Sequence, residues 1–194
     1  MISEQLTVAA MQNTPFPHVA GELALEPALA KRVHDWLEQE AAWRLSRQSF
    51  YEQFELSLPV DAPIPTIAPI TSQEWVTAMR QAIEHRFAVH LQETVSISAH
   101  KLMPGHRIGL HNDYIENGET HRLLIQLNPD WHDERGGFLL FFGSGNSNNV
   151  QKIYKPLFNS FVAFEISKQS FHAVTNIHQG IRYTLVYTFT AKTQ

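Results

Sequence analysis

Two side chains that bind metal ions well, His111 and Asp113, stand two positions apart in the stretch GLHND. Residues two apart in an extended segment point to the same side, so both can reach one ion. A third ligand is needed, and His172 is favoured because its stretch, FHAV, enters an apolar alternation. His178 is the alternative, but a Gln-Gly turn follows it. Two histidines and one carboxylate leave open the coordination positions that chemistry at a metal requires.

A second pair, Arg182 and Thr184, lies in the apolar stretch IRYTLVYTFT and shares one face of a predicted strand. An arginine on the inner face of a strand is costly unless an anion meets it. A carboxylate held by the guanidinium, with the threonine hydroxyl as a further donor, satisfies it. An internal salt bridge or a surface position for Arg182 remains an open alternative at this point.

The composition restricts the metal chemistry. The 194 residues include no cysteine, so a metal must be held by His, Asp or Glu, which favours iron, manganese or zinc. Two histidines and one carboxylate with open positions are the arrangement associated with non-heme Fe(II) oxygenases.

The charge and the apolar pattern restrict the partners. The net charge is −4 and no dense Lys/Arg cluster occurs, which argues against a nucleic-acid partner. No apolar run reaches the length of about 20 residues that a membrane span needs, and the first residues lack the pattern of a signal peptide. We therefore expect a cytoplasmic protein without a membrane partner. The 43% hydrophobic and 18% charged residues fit one folded domain.

Two amphipathic helices are predicted in the N-terminal half. The first follows Pro27, and its apolar stripe is Leu29, Val33, Trp36 and Leu37. The second follows a capping-box pattern of Thr71 and Glu74, and its apolar stripe is Trp75, Met79, Ile83 and Phe87. Between them, the proline-rich segment 59–70 predicts an extended or loop segment.

From residue 94 onward, short β-rich runs are separated by Gly, Asn, Pro and Asp. These runs are TVSIS, RLLIQL, FLLFF, VQKIY, FVAFEI and YTLVYTFT. They predict an α+β, mainly β protein: a jelly roll (double-stranded β-helix) with helices packed on one sheet. The expected organisation is a single domain with a helical support region, 1–93, and a catalytic core, 94–194.

The order of these motifs resembles the Fe(II)- and 2-oxoglutarate-dependent dioxygenase superfamily, in its prolyl-4-hydroxylase-like branch, over roughly residues 95 to 191. The matching features are His111-x-Asp113, the Gly-Gly pair at 136–137, His172 and Arg182-x-Thr184. The stretches LMPGHRIGLHND and RLLIQLNPDWHDERGGFLLFF are also similar to the segments of that branch.

The resemblance implies a mechanism and a role for each residue. His111, Asp113 and His172 are expected to bind Fe(II), and Arg182 with Thr184 to hold the distal carboxylate of 2-oxoglutarate. The implied activity is hydroxylation of a substrate with O2, coupled to decarboxylation of 2-oxoglutarate to succinate and CO2. The substrate is expected to be a peptidyl, free or carrier-bound amino acid, or a small natural product. Because Asp113 is expected to supply a carboxylate ligand to the metal, the resemblance implies hydroxylation rather than halogenation.

The sequence departs from the family at three places. Gln126 and Met103 stand where many relatives have cofactor-lining tyrosines, and both are expected to line the cofactor pocket instead. Thr188 replaces the second arginine that is usual in the DNA-repair branch, so nucleic-acid repair is disfavoured.

Two alternatives to the oxygenase remain open: a non-catalytic metal- and 2-oxoglutarate-binding sensor, and a cupin-like metal enzyme without 2-oxoglutarate. Substrate specificity is expected to lie in the loops 59–70, 114–120 and 143–149. The oligomeric state is not readable from the sequence.

Overall fold

A computed structural model describes residues 2–192, which form four α-helices and eleven β-strands. The helices are α1 (Ile2–Val8), α2 (Pro27–Gln39), α3 (Ala68–Thr71) and α4 (Gln73–Phe87). The first strands are β1 (His18–Gly21), β2 (Arg44–Arg47), β3 (Glu52–Leu58), β4 (Leu91–Leu102), β5 (Ile108–His111) and β6 (His121–Gln126). The remaining strands are β7 (Leu139–Phe142), β8 (Val150–Tyr154), β9 (Ser160–Glu165), β10 (His172–Val174) and β11 (Arg182–Ala191).

The helix starts follow from local capping. In α2, Pro27 occupies the first turn, where no backbone donor is needed, and the Glu26 side chain accepts from two backbone N–H groups of that turn. In α4 the N-cap is Ser72, whose hydroxyl accepts from the backbone N–H of Trp75 at 3.2 Å. The predicted cap, Thr71, is instead the last residue of the short helix α3. The capping-box prediction was therefore wrong by one residue.

The strands form two antiparallel sheets that face each other. The major sheet has seven strands in the order β1-β9-β6-β11-β4-β3-β2, and the minor sheet has four in the order β5-β10-β7-β8. Apolar residues of both sheets pack between them, among them Leu139, Phe141, Val162, Phe164 and Val186. The predicted mainly β architecture, a jelly roll with helices on one sheet, is confirmed.

Strand alternation on β11 separates the two faces of the major sheet. Tyr183, Leu185 and Tyr187 point to the helices and are buried in the larger core. Arg182, Thr184 and Val186 point to the minor sheet and line a cavity between the sheets. Because side chains alternate along a strand, one strand both anchors the helical layer and carries polar side chains into the interior.

The region 1–93 contributes more than helices. Strands β1, β2 and β3 belong to it, and all three extend the major sheet. β3 pairs with β4, so this region supplies part of the surface that faces the minor sheet. The boundary at residue 93 does not divide a helical part from a β part.

The proline-rich segment 59–70 lies on the helical side of the major sheet. Ile67 and Ile70 are fully buried in the core formed with the helices, and the Tyr187 hydroxyl donates to the Ile70 carbonyl at 2.8 Å. None of its residues lines the cavity between the sheets. Within residues 2–192, no helix has the length and apolar character required to cross a membrane.

Candidate active site

His111 and His172 are brought together by strand pairing. They are directly opposed in the antiparallel pair β5–β10 of the minor sheet. With Asp113 they form a group whose potential ligand atoms all lie within 4.8 Å of one another. One Asp113 carboxylate oxygen is 3.3 Å from His111 Nε2, and the other is 3.1 Å from His172 Nε2. The sequence-predicted triad therefore converges on one point.

The protein fixes both imidazole rings in the same tautomer. His111 Nδ1 is 2.8 Å from the Gly109 carbonyl oxygen, and His172 Nδ1 is 2.7 Å from the Ser170 carbonyl oxygen. A carbonyl only accepts, so each Nδ1 must carry the proton, and each Nε2 presents a lone pair toward the triad centre. This is how proteins orient metal-binding histidines. Burial lowers the pKa of His172, which favours the neutral ligand form.

The backbone at Asp113 is not extended, in contrast to the expectation from the sequence. β5 ends at His111, and Asp113 has a φ of 57°, in the left-handed region. The extended geometry assumed for the His-x-Asp pair therefore does not hold. A turn after His111 brings the carboxylate back over the imidazole, and the Asn112 side chain supports the turn by accepting from the Tyr114 backbone N–H at 3.1 Å.

Arg122, which the sequence analysis did not single out, forms an ion pair with the Asp113 carboxylate. Its other terminal nitrogen, Nη2, is 2.6 Å from Glu119 Oε2. Burial alone would raise the pKa of Asp113, but the neighbouring rings of His111 and His172 and the charge of Arg122 outweigh it. The pKa of Asp113 is thereby held far below its usual range. Asp113 is ionised, as a metal ligand must be.

Arg182 is 2% exposed and lies in the same cavity. Its Nη1 donates to the Thr184 hydroxyl at 2.8 Å, and that hydroxyl donates to Gln126 Oε1 at 2.9 Å. Within the described part of the chain, Arg182 has no carboxylate partner, and its Nε is buried without an acceptor. Burial lowers the pKa of Arg182 to about 10, so it stays charged at neutral pH. A lone buried guanidinium is a site prepared for an anion.

The Gly-Gly pair explains how Arg182 fits. Gly136 and Gly137 both have positive φ values, 69° and 71°. A Cβ on Gly137 would lie 3.1 Å from Arg182 Cδ and 2.6 Å from Ile177 Cδ1. Only glycine permits both the backbone conformation and the close approach of the Arg182 stem.

A cavity of about 240 Å³ joins the triad to Arg182. Its wall on the minor sheet includes Ile108, Leu139 and Val174, and its wall on the major sheet includes Leu124, Phe164 and Val186. The turn before β3 contributes Phe50 and Tyr51, and β3 contributes Gln53 and Glu55. The recognition loops predicted at 59–70, 114–120 and 143–149 contribute no lining residue.

The structure separates the remaining predicted residues from the cavity. Gln126 lies behind Thr184 and reaches the cavity only through that hydroxyl. Met103 lies in the turn after β4 and is not among the lining residues. His178, the alternative ligand, bonds through its backbone N–H to the Arg135 carbonyl and lies outside the triad.

His100, which the sequence analysis did not single out, lines the cavity from the middle of β4. In the sheet it lies between Thr184 of β11 and Glu55 of β3. Burial lowers the pKa of His100 to about 4, against the opposing influence of Glu55. A neutral imidazole therefore forms part of the wall. The alternation of SISAHKL on a central strand was the available indication.

Sequence comparison agrees with this geometry. Residues 97–188 match the sequence profile of the 2OG-Fe(II) oxygenase superfamily, and this stretch contains the triad, Arg182 and Thr184. The expected resemblance to the prolyl-hydroxylase branch of that superfamily is confirmed.

A curated relative that this chain matches is named prolyl 3-hydroxylase OGFOD1, from Xenopus laevis. It is 26% identical over 185 residues, which cover 89% of this chain and 34% of that protein. The chain thus spans about a third of the length of the curated relative that it matches.

Solved structures share the fold. A prolyl-4-hydroxylase from Pseudomonas putida superposes with a TM-score of 0.73 at 17% identity, covering 100% of both chains. A prolyl hydroxylase from Trichoplax adhaerens, in complex with a peptide fragment of the hypoxia-inducible-factor oxygen degradation domain, has a TM-score of 0.74 at 15% identity. That match covers 98% of this chain and 87% of the other.

Members of the superfamily use Fe(II), 2-oxoglutarate and O2. The described residues fit both groups on independent grounds. Two Nε2 lone pairs and an ionised carboxylate converge without cysteine, as suits Fe(II). The buried Arg182, with an unsatisfied Nε, suits the distal carboxylate of a dicarboxylate.

Proposed function

We propose that this protein is an Fe(II)- and 2-oxoglutarate-dependent dioxygenase that hydroxylates an amino acid, in peptidyl, free or carrier-bound form, or a small natural product. The observation that supports it most is the pairing, in one cavity, of a His-Asp-His group with a buried arginine that has no counter-ion in residues 2–192. A metal site alone would not need the arginine, and an arginine alone would be costly to bury.

In this proposal His111, Asp113 and His172 hold the iron through two Nε2 atoms and one carboxylate oxygen. Arg182 binds the distal carboxylate of 2-oxoglutarate, and Thr184 adds a hydroxyl whose orientation is set by its bonds to Arg182 and Gln126. Together, bound iron and 2-oxoglutarate supply the oxidation of a substrate C–H bond by O2, with release of succinate and CO2.

The chain's own residues keep this chemistry enclosed. Leu124, Phe164 and Val186 of the major sheet cover the cavity between the triad and Arg182. Their apolar surfaces exclude water from the space that the cosubstrate occupies, which strengthens the attraction between Arg182 and a carboxylate. Phe50 and Tyr51 also line the cavity, and the ring centroid of Phe50 lies 4.9 Å from that of His111.

The names of the relatives favour proline as the oxidised residue. Both the curated relative and the two solved structures are named prolyl hydroxylases, and one of them holds a peptide. A prolyl substrate is therefore the first to test, in peptide and in free form.

The test requires no substrate. Fe(II) and 2-oxoglutarate are added anaerobically to the wild type, to His111→Ala and to Arg182→Ala. The visible charge-transfer band of the Fe(II)–2-oxoglutarate chelate is then recorded. We expect a band in the wild type, none in His111→Ala, and one in Arg182→Ala only at much higher 2-oxoglutarate concentration.

Other outcomes select the alternatives. If the protein binds metal without showing the band, and Arg182→Ala does not change that binding, the result would favour a cupin-like enzyme that does not use 2-oxoglutarate. A normal band without any succinate formation in air, with or without prolyl peptides, would favour a sensor.

A further inference from the structure

A buried acceptor on β3, Gln53 Oε1, has no donor in the described part of the chain, and it lies beside the carboxylate of Glu55. Gln53 and Glu55 are two apart, so both face the cavity, and both line it. Gln53 is 4% exposed, and its Nε2 donates to Glu55 Oε1 at 2.7 Å. Its own Oε1 is buried without a hydrogen-bond donor. A buried acceptor without a donor destabilises the fold, so an external donor is expected.

The charged groups of the cavity also indicate that Glu55 has room for an external partner. Asp113 is matched by Arg122 and by a bound metal, and Arg122 also pairs with Glu119. Arg182 is matched by a cosubstrate carboxylate under the proposed function. Glu55 forms no ion pair with a cation in residues 2–192, and its cross-strand neighbour Arg44 is exposed.

The wall around Glu55 suits a cationic nitrogen. His100 lies beside Glu55 in the sheet and is neutral, so it does not repel a cation and offers a ring nitrogen as an acceptor. Phe50 and Tyr51 also line the cavity, and aromatic faces attract ammonium groups.

We propose that Glu55 and Gln53 form a subsite for a positively charged amine of the substrate, with Glu55 supplying the counter-charge and Gln53 Oε1 a second acceptor. The inference rests on the proposed function, because it places the substrate in the same cavity as iron and 2-oxoglutarate. It assigns the substrate to the class that carries a free ammonium group, such as an amino-terminal residue, a free amino acid or an amine, rather than to internal peptide segments without charge.

The experiment uses the complete chain loaded anaerobically with Fe(II) and 2-oxoglutarate. Three probes of equal length, n-butylamine, 1-butanol and butyrate, are titrated at constant ionic strength while the visible spectrum of the chelate is followed. Glu55→Gln is compared with the wild type, and Glu52→Gln is the matched control, because Glu52 lies on the same strand but not in the cavity wall.

We expect n-butylamine to perturb the wild-type spectrum at the lowest concentration of the three probes. Glu55→Gln should weaken this response by about tenfold or more, the loss expected for a partly desolvated charge pair. Glu52→Gln should respond like the wild type.

Several results would overturn the proposal. Equal responses to amine and alcohol, no response to the amine, or an unchanged response in Glu55→Gln would remove the subsite. Loss of the chelate band in Glu55→Gln before any probe is added would assign Glu55 to the metal or cosubstrate instead. A missing band in the wild type would refute the proposed function itself, which is a distinguishable failure.

A purely structural role of Glu55 would give a different experimental result. If Glu55 served only to pair with Arg44, then Glu55→Gln and Arg44→Gln would lower the melting temperature alike and leave the amine response intact.

Discussion

His111 and His172 are direct partners in the β5–β10 register, and their ring centroids are 4.2 Å apart. Each ring is tied at Nδ1 to a carbonyl two residues earlier in the chain. The two ligands therefore share one local arrangement on two antiparallel strands. A metal that binds them should link β5 to β10.

Metal binding should stabilise the fold. At a metal concentration of about 100 times the dissociation constant, the gain is about 2.7 kcal/mol. For a chain of this size, where each kcal/mol shifts melting by about 2–4 °C, we expect a rise of about 5–10 °C. Anaerobic thermal melts with Fe(II), or with Mn(II) as a redox-stable substitute, measure it. His172→Ala should abolish the rise, whereas His178→Ala should keep it; the reverse result would exchange the two ligand assignments.

Replacement of Arg182 should have opposite effects with and without cosubstrate. Arg182→Met removes a buried charge that has no counter-ion in residues 2–192, so the metal-loaded protein without 2-oxoglutarate should melt no lower than the wild type. The affinity for 2-oxoglutarate should fall by about 30-fold or more, since loss of one partner of a buried charge pair costs about 2–5 kcal/mol.

Thr184→Val should weaken 2-oxoglutarate binding less than Arg182→Met does. It removes one neutral hydrogen-bonding group of about 1 kcal/mol, so 2-oxoglutarate affinity should fall about fivefold. Titration of the chelate band compares the variants. An effect of Thr184→Val as large as that of Arg182→Met would contradict the assignment of the carboxylate to the guanidinium.

Arg122 should act as a positioning residue for Asp113. Arg122→Met leaves the carboxylate in place but removes the ion pair that orients it, so metal affinity should fall by about 10–100-fold, as for other groups that support metal ligands. Competition with a chromogenic chelator measures this affinity without turnover. Glu119→Gln is the control, because Glu119 is half exposed and contacts only the outer side of Arg122. Unchanged metal affinity in Arg122→Met would show that the pair is dispensable.

Acid should destabilise the protein partly through His121. Burial lowers the pKa of His121 to about 4 from the ordinary 6.5. Below pH 6.5 His121 binds a proton in the unfolded chain, whereas in the folded chain it remains neutral until about pH 4. Stability present above pH 6.5 is therefore lost as the pH falls through this window, by at most about 3 kcal/mol for this group.

His121→Gln should flatten the pH dependence of the urea midpoint between pH 6.5 and 4. His90→Gln, at an exposed position, is the control. Identical slopes for His121→Gln and the wild type would exclude His121 as a source of the acid sensitivity.

The sequence predicted the parts of the site that lie in recognisable order along the chain. His111, Asp113, His172, Arg182 and Thr184 are separated by fixed motifs and apolar strands, and the structure brings all five to one cavity. It did not predict Arg122, since an arginine next to a histidine in a strand is also typical of an exposed face. The contact with Asp113 arises from the turn at 112–120, which no local pattern specifies.

The contribution of residues 1–93 to the sheet was missed for a related reason. β2 is the polar stretch RLSR on the edge of the sheet, and β3 mixes charged with apolar residues. Neither shows the apolar alternation of a central strand, because one face of β3 meets a polar cavity wall. The cavity-lining residues of β3 and of the turn before it were therefore not predicted.

Phe164 belongs to the major sheet, yet its ring lies 5.0 Å from that of His172 in the minor sheet. The same ring lines the cavity that also contains Arg182. In the proposed enzyme, the size of this ring limits the room for an oxo acid that reaches both the iron and Arg182. A thinner side chain at position 164 would therefore shift the preference among oxo acids of different length before it affected the chemistry at the metal.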